Sequence, residues 1–319
     1  MSSSDVKIVN GQIRPRSKAL KTLKRALKSW QLYTLLIPAL IYYIVFCYGP
    51  MYGVQIAFRN YSPTKGIWGS EWVGLRHMIR FFNSYYFLDL IRNTLTISLF
   101  NLVLGFPMPI LLALCINELK NGAFKKTVQT VSYAPHFIST VVMCAMIINF
   151  TNPNIGIINR VITSFGGEAI PFMTMPKMFP GVYVISGVWQ GMGWGSIIYL
   201  ASLAGVDEQL HEAAMVDGAT RMQRLYHINI PHIVPTMIIM LILNSGTIMS
   251  LGADKAFLLQ NDLNIDRSEV ISTYVYKSGL INAQYGFSAA VGLFNSVINM
   301  IMLWTVNFIS RKVGENSLW

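Results

Sequence analysis

The stretch Glu212-Ala213-Ala214-Met215-Val216-Asp217-Gly218-Ala219 lies between two apolar segments, each long enough to cross a bilayer. Ile230-Pro231 follows it shortly before the second apolar segment begins. Because about 20 apolar residues in a helix cross the hydrocarbon layer, a polar stretch between two such helices lies at a membrane face. The stretch therefore predicts a structured loop, here called the motif loop (residues 205–232), that can dock a soluble partner.

The composition of the whole chain is that of an integral membrane protein. Its 319 residues are 53% hydrophobic and 12% charged, and its mean hydropathy is +0.45. These values lie far from those of an ordinary soluble domain. The predicted fold class is all-α, with spans near residues 31–48, 94–116, 128–150, 182–203, 233–251 and 288–309. Cys47, Cys115 and Cys144 fall inside apolar runs without metal-ligand spacing, so no metal site is expected.

The distribution of basic residues predicts how the six spans are oriented. A basic segment (residues 1–30) precedes the membrane domain (residues 31–310), and a short tail (residues 311–319) follows it. Positive flanks stay in the cytoplasm, so both termini and the motif loop are predicted to lie inside. Residues 49–93, 151–180 and 252–287 then lie outside. The basic residues before the first span are Lys7, Arg14, Arg16, Lys18, Lys21, Lys24, Arg25 and Lys28.

The N-terminal segment has two open interpretations. Leu20, Leu23 and Leu27 would share one face of a short helix that lies on anionic headgroups. A solvated basic tail that only fixes the topology is equally compatible with the sequence. A cleaved signal peptide is disfavoured, because the apolar run is too long and lacks a small-x-small cleavage site. We therefore expect a retained membrane anchor.

The motif loop carries the end signals of two helices. Asp207 can cap a helix over residues 208–216, and Gly218 suits the left-handed position that ends it. Thr220 and Gln223 have capping-box spacing for a second helix, which Pro231 is expected to end before the fifth span. The loop is thus predicted to form a helix, a glycine elbow and a second helix.

The same residues carry a family resemblance. Glu212-Ala213-Ala214, Gly218 and the distal Ile230-Pro231 resemble the cytoplasmic signature of permease subunits of ATP-binding-cassette (ABC) importers. Over nearly its whole length the chain looks like the carbohydrate-uptake permeases related to the maltose system, in the branch that takes polysaccharide fragments. The supporting stretches are residues 52–58 (YGVQIAF), 134–139 (APHFIS), 284–288 (QYGFS) and 314–319 (GENSLW).

The resemblance implies a type I ABC importer permease fold in a bacterial cytoplasmic membrane, crossed several times by the chain. It implies that the motif loop is a coupling helix seated in a groove of the ATPase. It also implies a second homologous permease subunit, two ATPase subunits, an extracytoplasmic solute-binding protein, an oligosaccharide substrate and contact with membrane lipid, but no nucleic acid. The ATPase-coupling residues would be Glu212, Ala213, Ala214, Asp217, Gly218 and Ala219.

The sequence places ATP chemistry on another subunit. The chain contains no Gly-x-x-x-x-Gly-Lys-Ser/Thr phosphate loop, so we expect a non-enzymatic subunit without a bound cofactor. ATP and Mg would be used by the partner ATPase. Gly187, Gly191 and Gly195 recur every four residues, which favours a face for close helix packing over nucleotide binding.

Polar residues inside the spans are the candidates for a sugar path. Amides can bind hydroxyls and aromatic rings can stack on sugars, although each such residue could instead make an interhelical hydrogen bond. Asn101 and His136 are assigned to helix packing. The substrate-path candidates are Trp189, Gln190, Asn149, Asn244, Ser245 and Asn295.

The alternative function is a secondary transporter or channel for small polar solutes. Ion coupling would place charges deep in the spans, whereas all 14 acidic residues fall in predicted loops or tails. The substrate itself stays open. The predicted outer segments hold slightly more basic than acidic residues, which suits uronate-rich fragments of the alginate or pectin type. That excess does not decide between acidic and neutral oligosaccharides.

Overall fold

The structure is a computed structural model that describes residues 6–9, 12–15 and 30–313. It divides into two compact units, Met1–Gln55 and Ile56–Trp319. The predicted surface helix around Leu20, Leu23 and Leu27 lies outside the described residues, and so does the C-terminal stretch 314–319.

The first unit contains a hairpin and the start of the first long helix. Strands β1 (Val6–Val9) and β2 (Gln12–Pro15) pair antiparallel, with Val6 opposite Pro15. Helix α1 (Trp30–Tyr42) continues through a π-helical turn (Tyr43–Tyr48) and a short helix (Gly49–Met51). The helical segment thus continues beyond residue 48, where the predicted first span ends.

The second unit begins with short elements and then enters long helices. A 3₁₀ turn (Tyr52–Phe58), which begins in the first unit, is followed by strands β3 (Arg59–Asn60) and β4 (Glu71–Trp72), which pair antiparallel. Short helices at Gly66–Gly69 and Arg76–Phe82 lead into helix α2 (Phe87–Gly105) and helix α3 (Pro107–Asn117). Together α2 and α3 form the second candidate span.

The predicted third span, residues 128–150, is not one straight helix. Helix α4 (Ala123–Tyr133), a 3₁₀ turn (Ala134–Phe137) and helix α5 (Thr140–Phe150) are bent by 101°. Pro135 lacks a backbone donor, and Ser139 starts the new helix by accepting from the Val142 N–H. The sequence predicts one span over these residues, and the structure breaks it in two.

Helix α6 (Phe179–Leu203) is the central helix of the second unit and packs against α2, α3, α4 and α8. A short helix (Ile157–Ser164) and a 3₁₀ turn (Pro176–Met178) precede it. Helix α7 (Glu208–Val216), a short helix (Arg221–Arg224), a π-helical turn (Leu225–Asn229) and helix α8 (Ile230–Ser245) follow it.

Two predicted boundaries around α8 are wrong. Pro231 does not end the second loop helix, because the π-helical turn passes the chain into α8 with the Ile230 N–H bonded to the Leu225 carbonyl. Proline is tolerated in the first turn of a helix, where its missing donor has no intrahelical partner. The predicted span to residue 251 ends at Ser245, where the Ser245 and Thr247 hydroxyls bond the last helical carbonyls.

The C-terminal third alternates short helices with one long one. Short helices span Ala253–Leu259, Ile265–Ser268 and Ile271–Tyr276, and a π-helical turn spans Lys277–Ile281. Helix α9 (Tyr285–Val313) completes the described chain and covers the predicted sixth span.

In the described residues, four helices are long and apolar enough to cross a membrane, or five if the bent pair counts as one span. The predicted six-span count therefore stays a prediction. Helix α6 has sufficient length, with 25 residues, but is not among these spans. Its glycines and polar residues dilute its apolar character, which a helix surrounded by other helices can tolerate.

Three apolar clusters hold the second unit together. One joins α2, α5, α6 and the segment after α8 through residues such as Ile97, Met143 and Val184. Another packs Phe81 and Leu90 against Phe287 and Val291 of α9. The third joins α3, α6 and α8 through Ile110, Ala113, Leu114, Tyr199, Leu203 and Ile233. These clusters fix α6 and α8 relative to one another and so position the cavity described below.

Candidate functional site

The first helix of the motif loop begins and ends where the sequence predicts. The Asp207 carboxylate accepts the Gln209 N–H at 3.0 Å, and helix α7 follows from Glu208 to Val216. The first-turn amides of a helix lack intrahelical partners, and the Asp207 carboxylate satisfies one of them.

The glycine elbow is a Schellman motif. Gly218 has φ +80° and donates to the Met215 carbonyl at 3.1 Å, while Ala219 donates to the Ala214 carbonyl at 2.8 Å. This pair of bonds is the geometry in which a left-handed glycine closes a helix. An added Cβ at Gly218 would meet nothing within 4 Å, so backbone conformation alone favours glycine here.

A capping box starts the second loop helix. The Gln223 side chain accepts the Thr220 N–H at 2.8 Å, and the Thr220 hydroxyl accepts the Gln223 N–H at 3.4 Å. From Arg221 the chain then runs as one helix to Ser245. The predicted helix, elbow and helix are thus confirmed as local structure, and the second helix is longer than predicted.

The outer face of the motif loop is free and partly apolar. Glu212, Ala213, Asp217 and Gly218 are exposed, while Ala214 and Ala219 are half-buried. Among the described residues, the Glu212 and Asp217 carboxylates make no hydrogen bond or ion pair. Large apolar side chains beside them face outward, with Val216 88% exposed; the others are Leu210, Met215, Met222 and Tyr226. Exposed apolar side chains beside polar ones are typical of a surface that a partner covers.

The motif loop is tied to the helices that carry it. The buried Asn229 amide donates to the Glu118 carboxylate at 3.5 Å, and the Thr236 hydroxyl bonds the Ser202 hydroxyl at 3.2 Å. Through Ile233, α8 also packs into the cluster it shares with α3 and α6. A displacement of the loop would therefore be passed into α8.

A cavity of about 450 Å³ lies between α2, α3, α6, α8 and residues 247–255. We call it the polar cavity, because amides, hydroxyls and one amine contribute to its lining. The polar residues in it are Ser98, Asn101, Tyr183, Gln190, Tyr199, Asn244, Thr247, Ser250 and Lys255. Amide groups both donate and accept, which suits sugar hydroxyls.

One wall of the polar cavity is non-helical backbone within the predicted fifth span. Side chains from other helices satisfy it: the Ser98 hydroxyl donates to the Ile248 carbonyl, and the Tyr183 hydroxyl donates to the Gly252 carbonyl. The Asn299 amide oxygen accepts the Met249 N–H at 2.9 Å. Irregular backbone at membrane depth is tolerated where it lines a cavity or is buried in protein. This segment does both.

The structure separates the predicted pair Trp189 and Gln190. Gln190 lines the polar cavity and donates to the Ile138 carbonyl at 2.9 Å, which satisfies backbone freed by the break between α4 and α5. Trp189 is rotated by about 100° around the helix. It lines a separate apolar cavity of about 360 Å³ instead.

Of the other candidates, Asn244 alone lines the polar cavity. Asn149 and Ser245 bond carbonyls of their own helices, those of Ala145 and Ile242. Asn295 lies one contact behind the lining, with its amide 3.4 Å from the Ser250 hydroxyl.

Several lining residues were missed by sequence reasoning. Asn101 was assigned to packing but lines the cavity, and Lys255 was placed in an outer segment. Asn299 is not a lining residue, but it lies four residues after Asn295 and bonds the same lining Ser250 hydroxyl at 2.8 Å. That i, i+4 amide pair was a usable signal in the sequence. His136, assigned to packing, stacks on Trp194 with ring centroids 4.5 Å apart.

The glycine face of α6 serves the cavity as well as packing. An added Cβ at Gly195 would lie 3.1 Å from Pro109, so this glycine does permit close packing against α3. Gly191 faces open space, and Gly187 faces the Lys255 amine. Glycines at these two positions leave room in the polar cavity.

A multi-helix membrane bundle with a polar cavity and an exposed, capped loop defines the membrane component of a transporter. Residues 88–315 match the family model of the binding-protein-dependent transport system inner membrane component, and the chain belongs to this family. It is therefore a multi-pass inner-membrane permease subunit and not itself an enzyme.

The chain is similar to known relatives and to solved structures over nearly its full length. The chain is 40% identical to the polygalacturonan/rhamnogalacturonan transport system permease protein YteP of Bacillus subtilis (strain 168), over 98% of this chain and 97% of that protein. It is 41% identical to Protein LplB of the same organism, over 90% and 91%. A chain from the crystal structure of a bacterial ABC transporter involved in import of the acidic polysaccharide alginate superposes with a TM-score of 0.83 at 38% identity. That match covers 92% of this chain and 99% of the other. The predicted ABC permease fold is thereby confirmed.

Proposed function

We propose that this chain is one of two permease subunits of an ATP-driven importer that carries oligosaccharides, uronate-rich fragments among them, across the inner membrane. The observation that carries the proposal is its near full-length similarity to a polygalacturonan/rhamnogalacturonan permease and to a chain of an alginate importer. The polar cavity supports it, because amides and hydroxyls there can exchange hydrogen bonds with sugar hydroxyls.

The motif loop is the proposed contact with an ATPase subunit. Glu212 and Asp217 present carboxylates that have no partner among the described residues, and Val216 presents an exposed apolar side chain. Ala213 and Ala214 add little bulk, so a partner groove can approach the helix backbone. Docking would bury the apolar side chains, and the carboxylates would meet basic or amide groups of the partner.

The proposed transmission of force follows the helix from Arg221 to Ser245. Its 25 residues span roughly 37 Å at 1.5 Å per residue. One end adjoins the glycine elbow, and the other carries Asn244 into the polar cavity. A rotation imposed on α7 by closing ATPases would thus move a wall of the cavity and open it to the opposite side of the membrane.

The remaining partners follow from the same proposal. A solved alginate transporter that resembles this chain was crystallised with a periplasmic protein bound to alginate pentasaccharide. We assign this chain a comparable solute-binding protein, a second permease subunit and two ATPase subunits. ATP and Mg would be used by the ATPases, which supply the phosphate loop that this chain lacks.

Reconstitution with the cognate partners tests the proposal. Proteoliposomes containing both permeases and the ATPases would receive the binding protein and a panel of saccharides: oligogalacturonates, alginate oligosaccharides, and neutral arabino- and malto-oligosaccharides. ATP-dependent accumulation of the acidic oligosaccharides is expected. Accumulation that needs no ATP, or that acidic oligosaccharides never support, would overturn it.

A further inference from the structure

Lys255 is the unusual group in the polar cavity. It lies on the short helix Ala253–Leu259, outside the candidate spans, and is only 9% exposed. Of the described residues that line the cavity, it alone is charged. Within the described part of the chain no carboxylate oxygen lies within 4.0 Å of its Nζ atom. Lysines are rarely buried to this degree without a partner.

The amine of Lys255 has spare donors and room around it. Nζ donates to the Tyr183 carbonyl at 2.8 Å and lies 4.7 Å from the centre of the Tyr183 ring. An ammonium carries three donors, so this one hydrogen bond leaves two for a ligand. A Cβ at Gly187 would lie 3.2 Å from Nζ, and the glycine keeps that space open.

The charge persists at neutral pH. Burial lowers the pKa of the Lys255 amine from 10.5 to about 8, so most molecules keep the proton at pH 7. The other polar residues of the lining are neutral. A carboxylate entering the cavity would therefore meet one positive charge and no negative one.

We propose that Lys255 pairs with a carboxylate of the saccharide as it passes through the polar cavity, and so selects uronate-containing chains over neutral ones. This inference rests on the proposed function. With an acidic saccharide, the ion pair satisfies a cation that has no acidic partner in the described chain. With a neutral saccharide, the buried cation keeps only its contacts with Tyr183, which disfavours occupancy.

The competing explanation is that Lys255 only tethers the short helix to α6 through Tyr183. A tether would affect every substrate equally and would lower stability. A carboxylate partner would affect acidic substrates selectively. The two explanations therefore predict different ratios of the uptake rate of an acidic substrate to that of a neutral one.

The experiment measures ATP-driven uptake of trigalacturonate and of its methyl ester by wild type, Lys255→Met and Lys255→Arg, with the same binding protein throughout. For each protein, the uptake rate of the acid is divided by the uptake rate of the ester. The result is then divided by the wild-type value, so that the selectivity of the shared binding protein cancels. We expect Lys255→Met to lower this ratio about tenfold, which corresponds to about 1.4 kcal/mol. Lys255→Arg should keep most of it, since arginine also pairs with carboxylates.

Lys277→Met is the matched control, because Lys277 pairs with Glu269 at 2.6 Å and does not line the polar cavity. It should leave the ratio unchanged. A Lys255→Met protein that loses both substrates equally, or that keeps the wild-type ratio, overturns the inference and leaves the proposed function standing. A wild-type transporter that accumulates none of the acidic oligosaccharides removes the proposed function, and this inference with it.

Discussion

The helix, elbow and second helix of the motif loop (residues 207–224) are held by hydrogen bonds between residues at most five positions apart, such as that from Ala219 to Ala214. The polar cavity depends on contacts across the chain, such as that from Ser98 to Ile248, 150 positions away. The side chains of the loop face outward, whereas the side chains that line the cavity face its interior. A substitution in the loop should thus leave the residues that line the cavity in place, and a substitution in the cavity should leave the caps and elbow of the loop intact.

Variants of the cavity and variants of the loop should impair transport in two different ways. A cavity variant should stop sugar movement while the loop still engages the ATPase. A loop variant should leave the sugar site intact while ATP hydrolysis no longer drives transport.

Filling the polar cavity should have the largest effect. Gly191→Leu adds a side chain where nothing lies within 4 Å of the Cβ position, so the helix can accept it while the cavity narrows. We expect ATP-driven uptake in proteoliposomes to fall by more than about tenfold. Basal ATPase activity of the assembled complex should stay near wild type.

Gly181→Leu controls for the substitution itself. Gly181 lies on the same helix, also has nothing within 4 Å, and lines the apolar cavity instead. Its uptake should stay within about twofold of wild type. Equal losses in the two variants would contradict the assignment of the path to the polar cavity.

Reversing the charge at Glu212 should have the next largest effect. Glu212→Lys places a cation on the exposed face of α7, where we propose that the ATPase offers basic or amide groups. Uptake should fall about tenfold, the equivalent of about 1.4 kcal/mol, with membrane insertion unchanged. Uptake and hydrolysis are measured on the same vesicles.

Glu208→Lys makes the same charge change one turn earlier on the same helix. It removes an acid from the first turn, which costs about 0.3–1 kcal/mol of helix stability, and should reduce uptake less than Glu212→Lys does. If Glu208→Lys proves equally severe, general charge repulsion explains the effect and a specific contact at Glu212 does not.

Removing an apolar contact from the loop should have a moderate effect. Val216→Asp replaces a side chain that is 88% exposed and should become buried on docking. Loss of about 1 kcal/mol of burial would weaken ATPase binding about fivefold, which a titration of the permease complex with ATPase can measure. Phe165→Asp, also 88% exposed but in a predicted outer segment, should leave this affinity unchanged. Weakened ATPase binding in the Phe165 variant would argue against the predicted orientation.

A structural change outside both regions should have the smallest effect on transport. The buried Asn159 bonds the carbonyls of Thr151, Asn152 and Ile170, and its oxygen accepts the Ile170 N–H. Asn159→Ala should lower the free energy of unfolding by about 1–3 kcal/mol, because it leaves buried groups unpaired. Thermal unfolding in detergent measures the loss, and uptake per folded complex should stay near wild type. A large uptake defect in well-folded protein would give this outer segment a transport role.

The same comparison explains how far the sequence could be interpreted. The bounds of α7, the Asp207 cap, the Gly218 elbow and the Thr220–Gln223 capping box were all predictable, because each depends on neighbours in the chain. Pro231 misled the prediction because a π-helical turn carries the helix past it.

The cavity was less accessible to sequence reasoning. Gln190 and Asn244 were named, but Trp189 beside Gln190 faces elsewhere, because adjacent helical residues point in different directions. Lys255 was missed because its partners, Tyr183 and Gly187, lie about 70 positions away in sequence. Helix packing decides which polar residues line the same cavity. The pattern of apolar and polar residues in the sequence does not show how the helices pack.

The glycine elbow is proposed to couple ATP hydrolysis to transport. The most direct test is the number of saccharides imported per ATP hydrolysed by Gly218→Pro and Gly166→Pro. Gly166 has φ +84° and ends its own helix with the same two bonds, to Thr163 from Gly166 and to Ile162 from Gly167. Proline cannot adopt a positive φ, so both variants break a Schellman elbow equally. We predict that the ratio collapses in Gly218→Pro and stays near wild type in Gly166→Pro. A wild-type ratio in a correctly inserted Gly218→Pro protein would contradict the coupling role of the motif loop.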